Sequence, residues 1–216
     1  MTKYFGNLTV LVCLFFLSAS TCLAIDWCNE YVDKKQYNLA IKTCTEIIVK
    51  KEKPDSSDYY NRGTAYLNIG EHRSAIEDFN SSISLAPDSF AAYNNRGSAY
   101  AVLGEIPKAI DDFNKSIKLN PSFPAPYYNR GNAYKKIGNK VQALADYNKA
   151  VEIGPKDSLT FYNRAAYYDE NNNYQQAITD YTNALKKYYT KKLENIEELK
   201  AGILKRAFEN ELIEAE

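Results

Sequence analysis

The sequence predicts an all-α fold, a solenoid of antiparallel helix hairpins with about five repeats and a C-terminal capping helix. Three observations predict it. The first is a gapless period of 34 residues that aligns 56–89, 90–123, 124–157 and 158–191. The second is a set of columns shared by every copy. An aromatic (Tyr59, Tyr93, Tyr127, Phe161) precedes a tiny residue by four positions (Gly63, Gly97, Gly131, Ala165), and tyrosine follows three further on (Tyr66, Tyr100, Tyr134, Tyr168). Then come Ala75, Ala109, Ala143 and Ala177, each four residues ahead of a second aromatic (Phe79, Phe113, Tyr147, Tyr181). The third is punctuation. Gly70, Gly104 and Gly138 mark a turn inside each copy, with Asn172 in their place in the fourth, and Pro87, Pro121 and Pro155 close each copy until Tyr189 breaks the pattern.

These columns describe a hairpin that cannot bury its own apolar face. Tiny residues recur at i+4 where two antiparallel helices touch, aromatics at i and i+7 fill the space between hairpins, and stacking of copies buries what one copy exposes. The run Tyr59, Arg62-Gly63, Tyr66, Ala75, Phe79, Pro87 resembles the tetratricopeptide repeat pattern of aromatic, Leu-Gly, Tyr, Ala, Phe and Pro. The resemblance covers 56–191. It implies a right-handed superhelix whose first helices line a concave face, and binding of a protein or peptide there.

The elements follow in order. Residues 1–24 read as a secretory signal peptide, with Lys3 before an apolar run from Leu8 to Leu17 and a cleavage-like end at Cys22-Leu23-Ala24. The alternatives are an uncleaved membrane anchor or a lipoprotein acylated at Cys22. Residues 25–55 read as a degenerate first repeat. In it Cys28 takes the place of the tiny residue, Ala40 keeps the alanine, and Cys44 takes the place of the second-helix aromatic. A Cys28–Cys44 disulfide across that hairpin suits an exported chain, against the alternative of two free buried thiols. Residues 192–216 carry Ile196, Leu199, Ile203, Ala207 and Leu212 near helical spacing. This segment is expected to cap the last repeat, with a partner-binding amphipathic helix as the alternative.

Two polar columns accompany the repeats. Four of the chain's six arginines, Arg62, Arg96, Arg130 and Arg164, precede the tiny residue, and Asp78, Asp112, Asp146 and Asp180 precede the second aromatic. Their lockstep predicts structural ion pairs, the alternative being a stripe that grips phosphate or acidic ligands. Before each arginine stands asparagine: Asn61, Asn95, Asn129 and Asn163. This column resembles the asparagine ladder in the repeat domain of O-linked N-acetylglucosamine transferases, which implies amides that pair with the backbone of an extended peptide. The alternative is that the amides satisfy neighbouring backbone. Tyr60, Thr64, Asn94, Ser98, Tyr128, Asn132 and Tyr162 are expected to complete the groove.

Composition narrows the function. With 27 Lys+Arg against 27 Asp+Glu the net charge is zero, which disfavours nucleic-acid binding. A single histidine, His72, read as solvent-facing, disfavours multi-histidine metal sites, so no metal and no cofactor are expected. No phosphate loop, nucleophile elbow or zinc-protease motif occurs, so no catalytic residues are expected. The expectation is a non-enzymatic, exported interaction module, periplasmic or secreted, with no membrane insertion once the signal is removed. The alternative is a scaffold component of a cell-envelope complex that uses its convex face or C-terminal helix.

Overall fold

The computed structural model describes residues 28–214. They are helical throughout apart from short connections, and they divide into two compact units between Ser122 and Phe123. The segment read as a signal peptide lies outside the described residues. No described helix is long and apolar enough to cross a membrane.

The first unit holds three hairpins. Helical residues 28–33 (α1) pair with α2 (Tyr37–Lys50), α3 (Ser56–Ile69) with α4 (His72–Leu85), and α5 (Phe90–Val102) with α6 (Ile106–Leu119). The second unit holds two hairpins, α7 (Ala125–Lys136) with α8 (Lys140–Ile153) and α9 (Ser158–Glu170) with α10 (Tyr174–Glu214). Within each unit the consecutive helices from α2 onward pack on one another, and the Cys28–Cys44 disulfide joins α1 to α2.

The tiny and aromatic columns form the helix crossing. A Cβ at Gly63 would stand 3.0 Å from Phe79 Cε1, at Gly97 2.7 Å from Phe113 Cε1, and at Gly131 2.9 Å from Tyr147 Cε1. The aromatic ring thus occupies the space a side chain would take. In the first hairpin the same two columns hold Cys28 and Cys44, which are joined by a disulfide with Cα atoms 5.4 Å apart. The contact that is van der Waals in the interior hairpins is covalent here. Closing 16 residues contributes about 3 kcal/mol in the chain-entropy view.

The turn column requires left-handed backbone. Gly70, Gly104 and Gly138 have φ of 89°, 81° and 77°, and Asn172 takes the same conformation at 59°. Asparagine tolerates this region better than other side chains, which explains the substitution in the last copy. Lys35 fills the corresponding turn of the first hairpin with φ of 58°. Helix α3 starts at a reciprocal cap in which Asp55 accepts from the backbone of Ser57 and Asp58 while Asp58 accepts from Asp55 N. Lys51 donates to both carboxylates at 2.8 and 2.7 Å.

One expected element is different. Residues 192–214 form no separate capping helix and do not fold back over the last repeat; they continue α10 without a break from Tyr174 to Glu214. The reason lies in the proline column. Pro87, Pro121 and Pro155 follow the ends of α4, α6 and α8, whereas Tyr189 occupies that position in the last copy and gives the helix no stop.

Candidate binding surface

The arginine column is built identically in each of its hairpins. Arg62 donates from Nε and Nη2 to the two Asp78 oxygens at 2.8 and 2.7 Å, and Arg96 does the same to Asp112. Arg130 meets Asp146 at 2.8 and 2.7 Å, and Arg164 meets Asp180 at 2.7 and 2.8 Å. These are paired fork contacts, the geometry that suits guanidinium to carboxylate. The four aspartates are buried. Each guanidinium also lies between two rings of its own helix. Arg96 is 5.3 Å from the Tyr93 centroid and 6.0 Å from that of Tyr100, and Arg164 is 5.9 Å from both Phe161 and Tyr168. Rings three before and four after an arginine share its helix face, so the spacing itself carries this signal, although the rings were expected only to fill space between hairpins.

The remaining nitrogen reaches the preceding hairpin. Arg62 Nη1 donates to Thr45 Oγ1 at 3.2 Å, Arg96 Nη1 to Asn80 Oδ1 at 2.7 Å, and Arg164 Nη1 to Asn148 Oδ1 at 3.0 Å. One side chain therefore ties the two helices of its hairpin together and then ties that hairpin to its neighbour. Hydrogen bonding to the carboxylate raises the pKa of Arg62, Arg96 and Arg164 further, against the opposing effect of burial.

The asparagine column is not uniform. Asn95 donates to Tyr60 Oη at 3.2 Å and accepts from Asn94 at 3.2 Å, while Asn163 donates to the carbonyl of Leu159 on its own helix at 2.9 Å. Asn61 and Asn129 are half-buried. Tyr60 and Tyr128 are half-buried, and burial pushes both phenols above the usual tyrosine value. Tyr162, in the same column, is 54 % exposed.

Asn94 departs from the expected groove. It shares the column of the three tyrosines but is only 6 % exposed, because its short side chain ends below the surface that a tyrosine reaches. Thr64 and Ser98 each donate to the carbonyl four residues back, Tyr60 O at 2.8 Å and Asn94 O at 3.0 Å. Asn132 accepts from the Tyr147 hydroxyl at 2.7 Å. His72 is half-buried rather than solvent-facing, with Nδ1 shut from solvent and unpartnered among the described residues. The described residues hold no cluster of three or more His, Cys, Asp or Glu side chains arranged for a metal ion.

Known sequences and structures agree with this architecture. Tetratricopeptide repeat profiles match residues 59–89, 124–157 and 146–179, and a TPR repeat profile matches 99–138. The chain belongs to the tetratricopeptide repeat family. No curated protein matches its sequence. Among solved structures, a crystal structure of MamA is 25 % identical with a TM-score of 0.61, covering 76 % of this chain and 95 % of that one. MamA residues 41 to the end from Desulfovibrio magneticus RS-1 are 18 % identical with a TM-score of 0.64, covering 79 % and 96 %. The tetratricopeptide fold of this chain is that of a protein-interaction scaffold, and its hairpins follow the pattern read from the columns, with the disulfide in the divergent first copy.

Proposed function

We propose that the chain is an exported, non-catalytic interaction module that binds a protein or an extended peptide along the first helices of its hairpins. One observation carries this reading: the first helices repeat, once per copy, a tyrosine or asparagine followed by a half-buried asparagine, at 60–61, 94–95, 128–129 and 162–163. Amides donate and accept together and so match a peptide unit without regard to its side chains. Tyrosine adds contact area at low entropic cost. The chain has no net charge, which favours a protein ligand over nucleic acid. The Cys28–Cys44 disulfide favours an oxidising compartment, periplasmic or extracellular.

The test is a displayed library of extended peptides presented to the wild type and to a variant with Asn61, Asn95, Asn129 and Asn163 changed to alanine. Loss of binding at least tenfold in the variant, with its melting temperature kept, supports the reading. Equal binding by both overturns it. Export is checked separately by the mass of the chain recovered from the cell envelope or medium, which should lack residues 1–24.

A second reading, a scaffold component engaged through the C-terminal helix, is favoured by a different observation. The last hairpin leaves Leu159, Leu185 and Tyr188 exposed beside the unbroken α10.

A further inference from the structure

The last hairpin carries an open apolar socket. Leu159 and Tyr162 of α9 and Tyr181, Leu185 and Tyr188 of α10 line a cavity of about 420 Å³. Three of these side chains are about half exposed, Tyr162 at 54 %, Leu185 at 57 % and Tyr188 at 48 %. Tyr162 and Tyr181 are in ring contact at 5.6 Å across its floor.

The repeat itself shows what fills such a socket. In the hairpin before, the equivalent residues are Tyr128 and Tyr147, and they are covered by α9, whose buried Tyr167 sits 5.4 Å from the Tyr147 ring. In the first unit, Tyr60 and Phe79 form the same floor, and buried Ala92 of α5 closes it. In both cases the cover is a helix from the next repeat. Among the described residues no repeat packs on the last hairpin, and the helix that could have returned to cover it runs straight on to Glu214 instead.

That helix supplies the second argument. At 41 residues it is roughly 60 Å long, about three times the length of the 14-residue second helices elsewhere. Leu193 and Ile196 lie exposed beyond the hairpin, at 62 % and 58 %. Its charge is also divided. Lys186, Lys187, Lys191 and Lys192 fall within seven residues that contain no acid, whereas 193–214 holds six glutamates against three cations. A parallel pair of such helices would set like charges side by side. An antiparallel pair sets the lysines of each against the glutamates of the other.

We propose that a second copy of this chain covers the socket. The two α10 helices run antiparallel about a two-fold axis, and the C-terminal part of each lies on the α9–α10 face of the other, where a following repeat would lie. Such a pairing is isologous and closed, so it yields a dimer and not a filament. The proposal is independent of the peptide-binding reading, which concerns the first helices.

The test is sedimentation of the protein in the form the cell produces, over the micromolar range. The wild type should sediment as a dimer. Leu185→Glu should raise the dimer dissociation constant by at least about tenfold, with the melting of the dilute monomer unchanged because the side chain is exposed in it. Two charge-reversed chains probe the direction of pairing. K186E/K187E and E209K/E211K should each be weakened alone and should form a heterodimer when mixed. A monomeric wild type overturns the proposal, whether its tail folds back or a different protein takes the face. A dimer indifferent to Leu185→Glu overturns the placement, and charge-reversed chains that do not recover on mixing overturn the antiparallel arrangement.

Discussion

The first hairpin joins its helices through Cys28 and Cys44, at the crossing where the next hairpin sets Gly63 against Phe79. The last hairpin keeps an ordinary pair of side chains in those columns, Ala165 and Tyr181, and lets its second helix run on to Glu214. In a stacked array a repeat with one neighbour lacks an interface that stabilises a repeat with two, and among the described residues the first and last hairpins are the repeats so placed. At one end the missing stabilisation is replaced by restricting the unfolded chain. At the other it is left open, and an apolar face remains for a partner. The ends of one array can therefore serve different purposes: closure at the first hairpin, association at the last.

The largest effects should come from the arginine column. Arg164→Leu leaves Asp180 buried without its cation, which costs about 3–5 kcal/mol when a buried pair is broken from one side. In this last hairpin the loss should appear as hydrogen exchange confined to 158–188. Arg96→Leu has the same local cost at Asp112, but α5 is held by hairpins on its N-terminal side, so the effect should spread over the first unit. Equal, local responses at the two positions would mean that the column does not couple hairpins. Adding the matching Asp→Leu change should recover much of the stability in either case.

Reduction of Cys28–Cys44 comes next, at about 3 kcal/mol. Exchange should rise through 28–50 and stop near Asp55, where the reciprocal cap begins a new helix. A mass increase of two protons on reduction verifies that the bond is present.

The crossing column gives a smaller contrast. Gly97→Ala places a methyl 2.7 Å from Phe113 and should cost about 1–3 kcal/mol. Ala165→Gly, at the last hairpin, overpacks nothing and should cost about 1–2 kcal/mol through helix propensity and the loss of one buried methyl. Circular-dichroism melts distinguish the two.

These positions also show how much was legible in the sequence. The hairpins, the crossing and the arginine–aspartate pairs were readable because a gapless repeat writes each contact four times over. Cys28 and Cys44 were readable as substitutes for a glycine and a phenylalanine for the same reason. The path of residues 192–214 was not, because a single copy has no column to compare. Its apolar spacing suits a cap and an overhanging helix equally, and only Tyr189 in place of proline hinted at the second. Asn94 was misplaced because a column fixes direction but not reach: tyrosine and asparagine leave the helix at the same point and end at different depths. The arginine–ring stacks were missed because each ring was assigned to the gap between hairpins and not to its own helix face.

The turn column separates the ends by about 1 kcal/mol. Lys35 holds left-handed backbone with a side chain poorly suited to it, so Lys35→Gly should raise the stability of the first hairpin by up to about 1 kcal/mol. Asn172→Gly should change less, since asparagine already tolerates that region. A gain at Asn172 larger than at Lys35 would contradict the backbone account.

The smallest effect is an acid-dependent one at the cap that separates the first hairpin from the second. Burial pushes the Asp55 carboxyl up, but hydrogen bonds from Lys51, Ser57 and the Asp58 backbone outweigh it and hold the group at about 2, below its ordinary 3.8. A depressed folded value stabilises the protein above the unfolded value and is lost as pH falls through the folded one, so the window runs from about pH 4 down to about pH 2. The side chain is 56 % exposed, and solvent screening keeps the contribution to about a few tenths of a kcal/mol. Other carboxylates titrate over the same range, so the wild type alone cannot isolate it. Asp55→Asn preserves an N-cap acceptor without the charge, and the difference between its melting curve and that of the wild type should shrink between pH 4.5 and pH 2. A difference that stays constant across that interval would place the stabilisation in the cap hydrogen bonds and not in the charge shared with Lys51.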